Sequence, residues 1–468
     1  MNLAPTLILQ WQRMGDIVLS FPLLGWLRKQ QPERPLWVVA EPHFFEGLLP
    51  LGPEAVYFPP DAAPQLAAQS FHTVINLSHR PEAAALAGSL NAEHVFGPCT
   101  VDGVTTIHGA WQLYRASLVH NNRHNRFHWA DLNALDCIPP QTMLHTAWPM
   151  PQPAGSGGRV GLFVGASEQE KRPHPAFWGA LAKGLVRRGL RPVFLGGPGE
   201  VELGAAAAAE AGLPGSNLCG HFALPELVTV LRTLDLLVTP DTGPMHVAAW
   251  AGVPTLNLSM GPVNAWETAP AMPGHYVVRA TVSCVGCWRC TQPTVLCRDR
   301  FNPTRVASLV HMLMRHQGQG LDRIHMPGLS LLRTTRDDNG LFALTPLQQA
   351  PPTPRQLLAI FWQQWFMHHL QSGATPHCAQ RAPLQEAAPA LAKAMLKSAA
   401  QLGRTMALHL RKGGTPLTAD FWSAHPPLLR PLTGYLHLLL QNSNYTRAAW
   451  AQALELVESL AAACSTTR

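Results

Sequence analysis

The feature that most limits how this chain can fold is an alternation that runs from residue 6 to about 260: short β-branched or aliphatic runs, each followed by a longer amphipathic stretch. Parallel strands need a crossover of roughly a dozen residues or more, so this rhythm predicts βαβ units around parallel sheets. Thr6–Gln10, Leu36–Ala40 and Thr73–Leu77 read as strands of a first half. Pro149–Gly158, with Pro149, Pro151, Pro153, Gly155, Gly157 and Gly158, interrupts the rhythm and reads as a linker. The rhythm then restarts. Val160–Val164, Pro192–Leu195, Asp235–Thr239 and Thr255–Leu258 read as strands, Pro175–Arg188 and Pro303–Met314 as helices. The expected class is α/β, with two Rossmann-like halves over 1–150 and 151–330 and a ligand cleft between them.

Residues 331–468 are expected to form an α-helical extension. Leu357–Leu370, Leu384–Leu410 and Ala448–Ala463 carry apolar residues at three- and four-residue spacing, with joints at Gly413–Pro416 and Pro426–Pro431. The run Phe361-Trp362-Gln363-Gln364-Trp365-Phe366 must be buried somewhere. A separate helical domain, used for an acceptor or partner, is the reading adopted.

The chain is 47% hydrophobic and only 13% charged, which excludes disorder. It has no apolar run of about 18 residues and no basic, apolar leader at its start, so a cytoplasmic location is expected. Its formal charge is +7, and the excess lies in residues 331–468, which hold 12 basic and 6 acidic side chains. Basic runs interleaved with aromatics are missing there, so a solvated helical surface is expected and nucleic acid is not.

Two junctions carry chemistry. Strand Thr6–Gln10 leads into Arg13-Met14-Gly15-Asp16-Ile17, placing a glycine turn and a carboxylate at the carboxyl edge of the sheet, where open α/β domains bind ligands. Asp16 also suits an ordinary cap. In the second half Asp241-Thr242-Gly243-Pro244-Met245-His246 follows a strand directly and opens a helix. The free N–H groups of that helix start, with Thr242 and His246 beside them, suit a pyrophosphate without a metal; capping by Asp241 or Thr242 is the plainer alternative. Neither G-x-G-x-x-G nor a P-loop stands at a strand–helix junction, against a dehydrogenase or a P-loop NTPase.

Taken together, these segments resemble glycosyltransferase family 9, the bacterial heptosyltransferase-like enzymes of lipopolysaccharide assembly. The resemblance covers about residues 6–315. It rests on Arg13 to Pro22, Gly165-Ala166-Ser167 leading to Lys171, Leu195-Gly196-Gly197-Pro198-Gly199-Glu200, and Asp241 to His246 followed by Ala251-Gly252-Val253-Pro254; Gly261-Pro262, Trp266 and Pro270 match a further loop. It implies the GT-B architecture, with an acceptor half over 1–150 and a nucleotide-sugar half over 151–330. It also implies inverting transfer from a nucleotide sugar, with ADP-heptose the favoured donor and a saccharide or lipid-linked acceptor. Peripheral contact with the cytoplasmic face of the inner membrane would follow from such an acceptor. On matching positions Asp16 would be the general base. Ser167, Lys171, Glu200, Asp241, Thr242, Gly243 and His246 would bind the donor. Lys171 would offset the charge growing on the leaving diphosphate. No D-x-D motif is present, so no cofactor is expected for catalysis. The sequence departs from the family's usual pattern at Arg172-Pro173-His174-Pro175, where an aromatic often follows the lysine, and in the extension beyond 330.

Cys284, Cys287, Cys290 and Cys297 fall within fourteen positions. A structural Zn²⁺ or iron–sulfur cluster is one reading of that density, and free or transiently bridged thiols are the other. Cys99, Cys137, Cys219, Cys378 and Cys464 are scattered and read as ordinary thiols. His120, His124 and His128 recur every fourth residue, which suits a metal-binding helix face or, with Asn121, Asn122, Arg123 and Asn125 between them, a solvated polar face. Two other functions compete with transfer. One is a non-catalytic sugar-nucleotide scaffold, which has no need of a base; the other is a metal or redox sensor built on the cysteines.

Overall fold

The computed structural model describes residues 3–284, 286–316, 320–348, 350–371, 384–413 and 416–465; Val285, Cys378 and part of the 413–416 joint fall outside them. The described strands form two mixed, mostly parallel sheets, and the chain divides into two compact units. The first comprises Met1–Ala62, Phe127–Ala134 and Ile138–Ala350; the second comprises Ala63–Arg126, Leu135–Cys137 and Pro351–Arg468.

In the first unit β1 (Thr6–Leu9), β2 (Leu36–Val39) and β3 (Val56–Phe58) are parallel and lie in the order β3-β2-β1. Thr6 of β1 pairs with Leu36 of β2. In the second unit β4 (Ser70–Asn76) runs parallel to β5 (Asn91–Val101), which turns into antiparallel β6 (Val104–His108).

The first unit also holds a seven-stranded sheet of β7 (Arg159–Phe163), β8 (Arg191–Leu195), β9 (Leu236–Pro240), β10 (Thr255–Ser259), β11 (Tyr276–Ala280), β12 (Leu329–Arg336) and β13 (Phe342–Pro346). Its order is β13-β12-β11-β10-β9-β7-β8. β9 and β10 are buried along their whole length, as expected of central parallel strands covered on both faces, which is why they read as continuous apolar runs. Trp178, Leu181 and Leu185 of the Pro175–Val186 helix and Val306 and Val310 of the Pro303–His316 helix pack with Val160, Leu162, Leu256 and Leu258 in one core. The expected strands and helices of this half are present within a residue or two.

The C-terminal helical region is present, but its expected start at residue 331 needs correction. β12 and β13 are antiparallel additions to the seven-stranded sheet, and helix resumes only at Pro354. Thr334 anchors β12: its hydroxyl donates to Met272 O at 2.7 Å and accepts from His275 N at 2.9 Å. The expected Leu384–Leu410 helix is broken at Ala388, because Pro389 cannot continue the ladder and instead starts a helix to Arg411.

The extension does not pack on itself alone either. Phe366 packs on Tyr114 at 4.5 Å between ring centroids and on Tyr435 at 5.8 Å. Arg126 Nε donates to Gln363 at 3.0 Å, and the Asn121 amide to Arg430 O at 2.9 Å. The Asn442 side chain accepts from Ile107 N and donates to Ile107 O, covering backbone groups of strand β6. Sequence periodicity shows that the aromatics face inward but not what they meet, and here they meet the segment 107–126.

Asp235 fastens the linker. Its carboxylate accepts from Ser156 N, Ser156 Oγ, Gly158 N and Arg159 N at 2.7–3.1 Å. Burial alone would raise its pKa, but these donors more than offset that and hold it below the usual carboxylate value. The carboxylate therefore contributes stability above the ordinary aspartate pKa and loses it as pH falls through the depressed value. Asp235→Asn is expected to cost about 1.5–3 kcal/mol at neutral pH, the worth of hydrogen bonds to a charged group. The gap between variant and wild type in urea midpoint should close on acidification; a gap that does not vary with pH would contradict the charge's role.

Candidate active site

The site is built where two helix starts meet in the first unit. β1 gives way to the Met14–Gln30 helix, and β9 to the Gly243–Trp250 helix. A Cβ on Gly15 would lie 3.3 Å from both Gly243 Cα and His246 Cδ2, and a Cβ on Gly243 would come within 2.8 Å of Met14 Cε. At Gly15 the close neighbour is the Gly243 backbone, whereas at Gly243 it is the movable end of Met14. Asp16 is the next residue after this contact, half-buried, with its carboxylate accepting from Arg13 N at 3.2 Å. It does serve as part of the helix start, as the plainer alternative has it, and its neighbour Gly15 meets the second helix start.

On the other side Thr242 is the residue before the helix, and its hydroxyl makes no capping bond; Pro244 carries no N–H, and Met245 N donates to Thr242 O at 3.1 Å, so what the helix start offers an anion is the Gly243 N–H and the positive end of the helix. His246 is buried, with Nδ1 unpartnered among the described residues. Burial, and then Lys171, lower its pKa to about 4 against the opposing pull of Asp241, so the imidazole is neutral near pH 7. Lys171 Nζ lies 3.5 Å from Asp241 and 3.4 Å from Glu168. Burial works to lower the lysine's pKa, but the two carboxylates overcome it and raise the value, keeping the ammonium charged. Thr268 Oγ1 donates to the same Asp241 oxygen at 3.1 Å. Gly261, at φ +82, lets the chain pass over Lys171: a Cβ there would meet Lys171 Cγ at 2.9 Å.

Glu200 occupies the neighbouring strand end. It accepts from Gly197 N at 2.8 Å and lies 3.9 Å from Arg172, whose Nε donates to Ala166 O. The bare Cα atoms of Gly165 and Gly196 make room for it, since a Cβ on either would come within 2.8 Å of its side chain. Ser167 is exposed on the loop after β7. Lys171, Asp241 and His246 thus form one cluster, Glu200 and Arg172 another, joined by the loop 165–172.

Sequence reading misses Glu168, Arg172, Thr268 and Arg279. Arg279 is buried at the end of β11, donating to Ser259 Oγ at 2.7 Å and to Val263 O. An arginine inside the apolar run Tyr276–Ala280 is the available signal.

The four clustered cysteines are free thiols, and Cys284, Cys290 and Cys297 are all near enough to Cys287 to act on it electrostatically. Among the described residues no three of the sulfurs of Cys284, Cys287, Cys290 and Cys297 lie within 4.8 Å of one another, whereas tetrahedral zinc needs them about 3.8 Å apart. Cys287 is exposed, and Cys297 Sγ faces Gly261 O at 3.6 Å, beside the turn that passes over Lys171. The histidine spacing has no helix beneath it. The Ala110–Ser117 helix ends before His120, which has φ +55; His124 and His128 are buried rather than solvated. His128 Nδ1 accepts from Ala130 N, and its Nε2 donates to Ala269 O at 2.8 Å.

Residues 134–295 match the model of glycosyltransferase family 9 (heptosyltransferase). Over that stretch the chain is similar to this family. The match spans Ser167 to His246 and three of the four clustered cysteines. Among solved structures, the E. coli ADP-heptose lipopolysaccharide heptosyltransferase II superposes with a TM-score of 0.51 at 18% identity, over 67% of this chain and 99% of that one. That likeness is one of fold, and the fold is GT-B with an added C-terminal helical region. A family 9 glycosyltransferase from Veillonella parvula is also similar (TM-score 0.46, 20% identity, 59% of this chain and 86% of that one). So is the iron-containing dodecameric glycosyltransferase TibC from enterotoxigenic E. coli (0.42, 15%, 69% and 78%). No curated protein matches the sequence. Among the described residues, no helix is long and apolar enough to cross a membrane.

Proposed function

We propose that the chain transfers heptose from ADP-heptose to a saccharide or lipid-linked acceptor, with inversion at the anomeric carbon and without a divalent cation. The observation that carries this reading is the meeting of the two helix starts at Gly15 and Gly243, with Asp16 next to Gly15 in sequence and the Lys171–Asp241 ion pair and His246 on the other side. A diphosphate seated at the Gly243 N–H and the positive end of the Gly243–Trp250 helix would have the charged Lys171 beside it. Asp16 would accept the proton of the attacking hydroxyl as the glycosidic bond forms and the ADP bond breaks. Lys171 and the helix start would stabilise the charge that builds on the departing ADP, the part a metal plays elsewhere. The neutral His246 offers its unpartnered Nδ1 as a hydrogen-bonding atom. Glu200, with Ser167 on the adjoining loop, would meet the nucleoside end. The match to a family described as heptosyltransferase supports heptose, and so does the name of the E. coli structure of the same fold.

The test is proton NMR of the sugar released or transferred from ADP-heptose by the full chain in excess EDTA. The expected product has the anomeric configuration opposite to the donor's, at a rate unchanged by the chelator. Retention of configuration, or activity restored only by added Mg²⁺ or Mn²⁺, would overturn the reading.

A further inference from the structure

A second constellation lies in the second unit, on paired strands that the donor chemistry does not use. His72 is the third residue of β4; Glu93 and His94 are the third and fourth of β5. Phe71 pairs with Ala92 and Thr73 with His94, so His72 stands opposite Glu93. His72 Nε2 is 3.9 Å from Glu93 Oε2, and the rings of His72 and His94 stand edge to face with centroids 5.3 Å apart. One ligand atom from each of the three lies within 4.8 Å of the other two.

We propose that His72, Glu93 and His94 form a binding site for a divalent first-row transition metal, Zn²⁺ in the first instance. The donor set carries the argument. Two imidazoles and one carboxylate suit zinc and its neighbours, whereas Mg²⁺ and Ca²⁺ call for oxygen ligands. Ligand atoms around tetrahedral zinc stand about 3.4 Å apart, so the three need to close by an ångström or so through side-chain rotation. Both strands are hydrogen-bonded in register, so the Cα positions are already fixed. His72 has the support that a ligating histidine needs: its Nδ1 is 2.8 Å from Thr73 Oγ1. With the proton on Nδ1 donated to that hydroxyl, Nε2 presents its lone pair on the side where Glu93 lies.

The ligands come from the amino-terminal ends of β4 and β5, while catalytic groups in open α/β sheets gather at the carboxyl ends. The metal would therefore tie the start of one strand to the start of the next, leaving a coordination position for water, and would take no part in transfer. Its expected effect is on stability.

The experiment is zinc titration of the full chain, first stripped with EDTA and dialysed, against a chromogenic chelator, with the thermal midpoint read in parallel. Glu93 and His94 are exposed, so His94→Ala and Glu93→Gln should leave the fold intact, which circular dichroism checks. Wild type is expected to bind one equivalent of zinc that His94→Ala loses and Glu93→Gln binds at least ten-fold more weakly. Zinc should raise the wild-type midpoint and leave that of His94→Ala where it was. His43→Ala, at another exposed histidine, and Cys287→Ser should retain this equivalent. Zinc binding identical in wild type and His94→Ala, or an equivalent lost only in Cys287→Ser, would overturn the proposal.

Discussion

Asp16→Asn is expected to lower turnover by about two orders of magnitude or more while leaving the affinity for ADP-heptose within about two-fold of wild type. The amide cannot accept the acceptor's proton, and loss of a general base costs roughly 10²–10⁴-fold. The substitution is well placed to separate chemistry from folding. The amide oxygen it introduces can still accept from Arg13 N, the bond that Asp16 makes at the helix start, so the junction beside Gly15 should hold. Release of ADP from ADP-heptose in the presence of glycolipid acceptors, with donor titration alongside, checks both halves. Equal turnover in variant and wild type would remove Asp16 as the base. A parallel loss of donor affinity would mean that the residue acts by holding the helix start in place.

The largest stability effect should come from Asp131. Its carboxylate, almost wholly buried, accepts from Arg336 Nη1 at 2.7 Å and from Phe342 N at 2.6 Å. Arg336 also donates to Ala271 O at 2.8 Å and lies over the Trp148 ring at 4.4 Å. Together these contacts fasten the segment 127–134 to β12 and β13. Asp131→Ala strands a buried guanidinium and a backbone N–H, a loss of about 3–5 kcal/mol. Asp131→Ala with Arg336→Met should recover part of that, because the charge left unpaired is gone. Urea midpoints of wild type, of each single variant, Asp131→Ala and Arg336→Met, and of the double variant decide it. A single variant as stable as wild type, or a double variant that falls by the sum of the two single losses, would show that the pair is not coupled.

Much of the first unit is legible in the sequence because its strands are continuous apolar runs and its turns need particular residues. The Asp241–His246 junction can be placed on a helix start because a strand ends directly before it. Pairing across long sequence distances is what cannot be read. Nothing local in Arg336 names Asp131 as its partner, and nothing in Phe366 names Tyr114. The 331–350 segment is taken into the helical extension for a related reason: the eight residues of β12 are a short signal beside the longer helical patterns that follow. The histidines at 120, 124 and 128 mislead in the opposite way. Their spacing is helical, but the backbone leaves the helix at Ser117, and each ends in a different environment. In the site itself, family resemblance names Lys171 and Asp241, while only the three-dimensional arrangement shows that Glu168 and Thr268 hold them.

The central claim is that Lys171, His246 and the Gly243–Trp250 helix start form a metal-independent cradle for a nucleotide sugar. Calorimetric titration of ADP-heptose into the full chain in EDTA tests it most directly. Wild type is expected to bind one equivalent, and Lys171→Ala to bind about ten- to a hundred-fold more weakly through loss of a charge-assisted contact. No binding by the wild type, or equal binding by wild type and Lys171→Ala, would contradict it.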